Sequence, residues 1–187
     1  MSTDQLDKLI RGSDWFMDVL RAARDCDPPD WWIGAGVIRD LVWDELHGDF
    51  DPDKVKDVDL AFFDASDLSR ERDAEVEDAL HGRLPTVPWE AKNQAAVHTW
   101  YERRFGFAVE PLHSSAEGVA TWPETATAVA VRLDANDDLQ VLAPCGLDDL
   151  LHGVCRRNPR RVSVEEYRRR LDAKQVATRW PRIVVVP

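Results

Sequence analysis

Apolar and polar positions alternate along the chain in runs that change period several times. Residues 3–24 carry the helical period, with Phe16, Met17, Val19 and Leu20 as an inward stripe. Ser13 is placed after Gly12 to cap a second helical piece. Pro28 and Pro29 end that region. Trp31-Trp32-Ile33 is a short apolar run that predicts a strand. A Gly-Ala-Gly turn and a helix to about Leu46 follow, closed by His47-Gly48. Residues 49–56 are polar loop, and Val58 to Phe63 predicts a buried strand. A charged surface helix is expected over 67–82, a strand over 86–92 and a helix over 94–105. Two further strands, 126–133 and 138–143, flank a turn at Ala135-Asn136-Asp137. Residues 146–152 predict a short helix. Ser163-Val-Glu-Glu166 has capping-box spacing and opens a helix to about Arg179, and 183–186 predict a last strand. The elements describe an α+β fold, a small mixed sheet flanked by helices.

The chain has 187 residues, which suits one domain with at most a small appendage. Its N-terminus lacks a basic region followed by an apolar run, and no apolar stretch approaches the ~18 residues of a membrane span. Cys26, Cys145 and Cys155 make neither a zinc pattern nor a disulfide framework, so a reduced, cytoplasmic setting without membrane contact is expected. Charge is unevenly placed. Residues 156–187 hold 10 Lys/Arg and 3 Asp/Glu, while the rest hold 14 and 32. Such a body repels nucleic acid in general, and the basic tail either attracts a phosphate-bearing partner or docks on the body; charge patterning favours docking.

Gly34-Ala35-Gly36 lies between a strand and a helix. Glycine permits a sharp turn and close approach of phosphate, and the free N–H groups of the next helix attract anions. Arg39, one turn in, adds a charged fork. Alone the motif fits a dinucleotide fingerprint, a nucleotidyltransferase turn or a plain strand-to-helix turn. Against the first, Arg39 stands where a third glycine belongs.

Asp57-Val58-Asp59-Leu60 narrows the choice. In a strand, Asp57 and Asp59 would share a face while Val58 and Leu60 point to the core. Two adjacent carboxylates repel unless a cation sits between them, and hard oxygen donors suit Mg²⁺ or Mn²⁺. An acidic strand edge is the plain alternative for an isolated Asp-x-Asp. The glycine element 21 to 23 residues upstream shifts the balance.

The segment from Ile33 through Arg39 and Gly48 to Asp57-Val-Asp59-Leu60 resembles the head of the DNA polymerase β-like nucleotidyltransferase superfamily, most closely its CCA-adding and poly(A) polymerase branch. Over roughly residues 15–185 the chain is similar to a family of small bacterial nucleotidyltransferase-like proteins, Trp89 to His98 and Trp100 to Gly106 included. The resemblance implies a nucleotidyltransferase-like domain over 1–155, with a basic helix and strand, 156–187, packed on it. Gly34 and Gly36 carry over as the phosphate-contacting turn, and Asp57 and Asp59 as ligands of Mg²⁺ or Mn²⁺. Ala35 replaces the usual second glycine or serine, which leaves the turn geometry open. No counterpart of the tRNA-binding body follows the head, so tRNA does not follow as substrate. The expected partners are an NTP and an acceptor that is RNA, protein or a small molecule.

The superfamily adds a third carboxylate as general base or metal ligand. Glu90 is the first choice and Glu110 the reserve. Lys92, Asn93 and Gln94 stand where they can meet a triphosphate or base; pairing for Lys92 and helix capping for Asn93 are the ordinary readings. Asp59, Glu90 and Lys92 also match a Mg²⁺-dependent nuclease pattern, though this leaves Asp57 and the glycine turn without a role. A nucleotide-binding module without turnover is a third possibility. His98 and Tyr101, three apart on one helix face, either stack on a base or pack inside. The run Arg168-Arg169-Arg170 is read as a solvated helix face.

Overall fold

The computed structural model describes residues 2–48 and 50–186. Two helices come first, α1 (Ser2–Gly12) and α2 (Asp14–Cys26), separated where the Ser13 hydroxyl accepts from the Phe16 N–H. A five-stranded sheet follows in the order β3-β2-β1-β4-β5. Its strands are β1 (Trp32–Gly34), β2 (Val58–Phe62), β3 (Trp89–Asn93), β4 (Ala130–Leu133) and β5 (Leu139–Leu142). Only β2 and β3 run parallel, so the sheet is mixed and the fold is α+β.

The strand period divides the sheet into two faces. Ile33, Val58, Leu60, Phe62, Trp89, Ala91 and Val131 enter the main apolar core with α1, α2, α3 (Gly36–His47) and α4 (Arg70–Arg83). The intervening positions Gly34, Asp59, Ala61, Glu90 and Lys92 belong to the opposite face, where a second, smaller apolar cluster gathers Trp32, Val119 and Ala130 with Trp122 and Leu142 against them. The sheet therefore has one greasy face for stability and one polar face free for chemistry. Helices α5 (Val97–Phe105) and α6 (Ser115–Val119) border that polar face.

The C-terminal part adds α7 (Asp148–Leu151), β6 (Val154–Arg156), α8 (Val164–Lys174), α9 (Val176–Arg179) and β7 (Val184–Val186). β6 and β7 form a separate parallel pair, and the Tyr167 hydroxyl donates to the Cys155 carbonyl, 2.7 Å away. Trp180 is buried edge-on against Trp43 at 5.1 Å, a geometry worth about 0.5–1.5 kcal/mol beyond the area it buries. Its indole N–H donates to Asp44, and Arg179 bridges Asp40 and Asp44 at 3.0 and 3.1 Å. The basic tail is thus fastened to carboxylates of α3. No helix among the described residues is long and apolar enough to cross a membrane.

Two local expectations differ from the structure, and two short elements lie outside them. The strand expected from residue 126 starts at Ala130, because Thr127 and Ala128 donate to the Glu124 carbonyl in a turn. The helix expected to run from Ser163 to Arg179 is two pieces, broken at Gln175, which is left-handed with φ 49°. Short α6 and β6 carry too few residues to show a period in the sequence.

Candidate functional site

The polar face opens into a cleft of about 1020 Å³. That lies at the upper end of the roughly 300–1,000 Å³ of small-molecule sites and leaves room for more than one ligand. Its floor is built by register. Asp59 in β2 is the direct partner of Glu90 in parallel β3 and of Gly34 in antiparallel β1. Asp57 lies one residue before β2 rather than inside it, exposed at the mouth of the strand, and still lines the cleft. Burial, then the Asp57 charge and then that of Glu90, pushes the Asp59 carboxyl up to about 7. Lys174 and a hydrogen bond from the Gly36 N–H offset this only in part. Among the described residues no three His, Cys, Asp or Glu side chains are already drawn together tightly enough to hold an ion.

The glycine turn separates into three residues with different environments. Gly34 is buried and does not line the cleft; a Cβ there would lie 2.5 Å from the Trp122 ring and 2.7 Å from the Val129 carbonyl. The phosphate contact expected at Gly34 has its space filled by Trp122. Ala35 lines the cleft at φ 58°, ψ −120°, a strained conformation for a residue with a side chain. Gly36 opens α3, and a Cβ there would stand 3.6 Å from both the Arg39 guanidinium and the Asp57 carboxylate. The missing side chain keeps the passage between those two charges clear.

Arg39 lines the cleft but is not free. Its guanidinium donates twice to Asp40, at 2.6 and 2.9 Å, and lies 4.9 Å over the Trp180 ring. Lys92 is within 3.8–3.9 Å of Glu90, Asp73 and Glu77. Gln94 lines the cleft next to it, its amide donating to the Lys92 carbonyl. Asn93 is buried away from the cleft: its amide donates to the Asp64 and Asp67 carbonyls while its oxygen accepts from the Asp64 and Ala95 N–H groups. Those four bonds pin the loop after β2 and leave no polar atom to offer a base. Glu110, the reserve acid, does not line the cleft.

The opposite wall comes from the tail. Arg170, Lys174, Arg179 and Trp180 line it, whereas Arg168 and Arg169 of the same arginine run are exposed outside. Arg170 pairs with buried Glu124 at 2.9 Å. Lys174 lines the cleft without a carboxylate within salt-bridge distance among the described residues. Burial, and then the Arg39 charge, depress its pKa. In all, ten Lys/Arg and six Asp/Glu border the cleft, a positive concavity in a chain of net charge −11. Helical periodicity could have picked out Lys174, four residues after Arg170 on one face, but no spacing rule ties it to Asp59.

Over residues 21–185 the chain matches the model of a family described as Nucleotidyltransferase. A protein whose NMR structure is described as a CCA-adding enzyme head domain superposes with a TM-score of 0.81 at 29% identity, covering 98% of this chain and 95% of that one. A CCA-adding enzyme solved with CTP gives 0.60 at 15%, and the Thermotoga maritima CCA-adding enzyme complexed with tRNA gives 0.57 at 14%. Each covers 97% of this chain, which spans 43% and 42% of their lengths, so they share the head fold alone. No curated protein sequence matches the chain. With the family model spanning most of its residues, a head-domain relative superposing almost end to end and a carboxylate-floored cleft between, the chain belongs to the nucleotidyltransferase family, enzymes that transfer nucleotidyl groups.

Proposed function

We propose that the cleft binds an NTP with Mg²⁺ or Mn²⁺ and transfers its nucleoside monophosphate to an acceptor hydroxyl. The observation that carries this reading is a separation of charge: Asp57, Asp59 and Glu90 crowd one side, while Arg39, Arg170 and Lys174 crowd the other. Like charges held close are unfavourable, and each cluster is relieved by what the other side would bring, a hard cation for the carboxylates and a polyphosphate for the cations. Asp57 and Asp59, with Glu90 beside them, are the residues that would hold the ion. When bound, it neutralises charge on the phosphates and favours an ionised acceptor.

The chain's own residues supply the rest. The Ala35–Gly36 turn and the open start of α3 admit the phosphates. Lys174, with Arg170 and Arg39 behind it, faces the two phosphates that leave. The acceptor oxygen forms a bond to the α-phosphorus as the bond to the bridging oxygen breaks, and pyrophosphate departs with that electron pair. Glu90 takes the acceptor's proton in this reading, which its exposure and its register with Asp59 support.

Calorimetry with the four ribonucleotide triphosphates, in Mg²⁺ and in EDTA, tests this. Metal-dependent binding by the native chain that disappears in Asp57→Asn/Asp59→Asn is the expected result. Absence of binding to any triphosphate with metal present overturns it. Asp57→Asn alone also separates this reading from a nuclease built on Asp59, Glu90 and Lys92, which would tolerate the change.

A further inference from the structure

Glu124 is a carboxylate that the chemistry above does not use, and only 4% of it is exposed. Its Oε1 accepts from the Arg170 Nε–H at 2.9 Å, and its Oε2 accepts from the Thr127 hydroxyl at 2.8 Å. Burial raises its pKa, but the charges of Arg170 and then Lys174 more than reverse this and hold it below its ordinary value. It is therefore a buried anion. The space it shares with Arg39, Cys155, Lys174 and Val176 has no room for a water molecule, so solvent cannot stand in for its charge.

An arginine carries one N–H donor on Nε and the others on its outer Nη pair. Glu124 takes the inner donor of Arg170. The Nη donors have no partner among the described residues, and the side chain lines the cleft. The guanidinium is thus anchored at its root and open at its tip, the form in which arginine grips a phosphate by two bonds. Arg39 differs, because its Nε and one Nη both donate to Asp40. Lys174 stands one helical turn beyond Arg170 and also feels the Glu124 charge. One buried anion answers two cations and leaves the wall a surplus of positive charge. The plain alternative is an ion pair that only fastens α8. That helix has another tie in buried Tyr167, whose hydroxyl donates to the Cys155 and Val186 carbonyls. Fastening alone also gives no reason for the outer donors to stand unmade in the cleft.

We propose that Glu124 is a positioning residue for the triphosphate: it acts through Arg170, holding the Nη fork toward the two phosphates that leave, and so makes the cleft prefer a nucleotide with pyrophosphate to lose over one without. Glu124 itself touches no substrate. Thr127 seats the carboxylate, so the fork is oriented before the nucleotide arrives and less side-chain freedom is lost on binding. This rests on the nucleotidyl-transfer reading and names the buried group that sets the preference.

The test is a double-mutant cycle read by calorimetry, with the four ribonucleotide triphosphates in Mg²⁺ and the four matching monophosphates as probes. Native protein, Glu124→Gln, Arg170→Gln and the double variant are compared below the onset of each one's thermal unfolding. Glu124→Gln should weaken triphosphate binding about five-fold or more and leave monophosphate binding within about two-fold. In the Arg170→Gln background the same change should have no further effect beyond about two-fold. Thr127→Val, which removes only the hydroxyl that seats the carboxylate, should give a smaller loss in the same direction and carries the test if Glu124→Gln does not fold. A fastening role would lower the melting temperature without altering the ratio of triphosphate to monophosphate affinity. An unchanged ratio in Glu124→Gln, or in Thr127→Val where only that variant folds, therefore overturns the inference. So does a loss that persists in full when Arg170 is already replaced, because Glu124 then does not act through it. Either result leaves the transfer reading standing if native protein binds Mg²⁺-NTP. A native protein that binds no triphosphate removes the transfer reading and this role with it.

Discussion

Asp59 and Glu90 are register partners on the parallel β2–β3 pair, so their carboxylates leave the same face of the sheet. Asp57 reaches the same place from the loop before β2. One half-buried acid therefore feels two others, and its protonation becomes a readout of the whole floor.

The Asp59 carboxyl, up at about 7 in the folded chain against 3.8 as its ordinary value, makes metal-free stability pH-dependent. Between those values the folded form binds more protons than the unfolded one, so stability falls as pH rises from about 4 to about 7. The loss is at most about 4 kcal/mol, and partial exposure of Asp59 reduces it. Chemical unfolding across that range should show the decline, and Asp59→Asn should remove it. Mg²⁺ should stabilise the native chain more at pH 8 than at pH 5.5; an equal effect at both would contradict a metal held by Asp59.

Lys174→Ala should weaken Mg²⁺-NTP binding about ten-fold, or about 1.4 kcal/mol, and leave nucleoside monophosphate binding nearly unchanged. Lys174→Arg should keep most of the affinity, because the requirement is a cation facing the leaving phosphates. Calorimetry with paired tri- and monophosphates distinguishes this from general loss of fold, which would affect both ligands.

The two neighbours in the turn should respond in opposite directions. Gly34→Ala drives a methyl group into the Trp122 ring and the Val129 carbonyl and should destabilise the chain by about 1–3 kcal/mol. Ala35→Gly relieves a positive φ of 58° and should stabilise it by roughly 1 kcal/mol. Urea unfolding of both variants checks the signs.

Trp180→Ala removes a fully buried ring that packs on Trp43 and lies under the Arg39 guanidinium. A loss of about 3–5 kcal/mol is expected. Arg179→Ala, which leaves that ring in place, should cost far less. If both variants fold at low temperature, NTP affinity should drop further in Trp180→Ala, since Arg39 loses the surface that orients it.

Much of this molecule is legible in one dimension because its information is local. Period-two alternation in Val58–Phe62 and Trp89–Asn93 identifies strands with one core face and one polar face, and Ser13 and Ser163 mark helix starts by a hydroxyl three residues from the N–H it caps. The order of glycine turn, arginine and paired aspartates carries the family, since those spacings are set by one strand, one helix and the next strand. What sequence could not decide was which charges meet across the cleft. Glu90 stands beside Asp59 only because β2 and β3 pair in parallel with that register, and Lys174 faces them only because Gln175 breaks the helix and Trp180 docks on Trp43. Gly34 reads as a phosphate contact by motif, yet its space belongs to Trp122, 88 residues away in the chain. Spacing rules follow the backbone, whereas packing and electrostatics act through space, and the site lies where the second overrides the first.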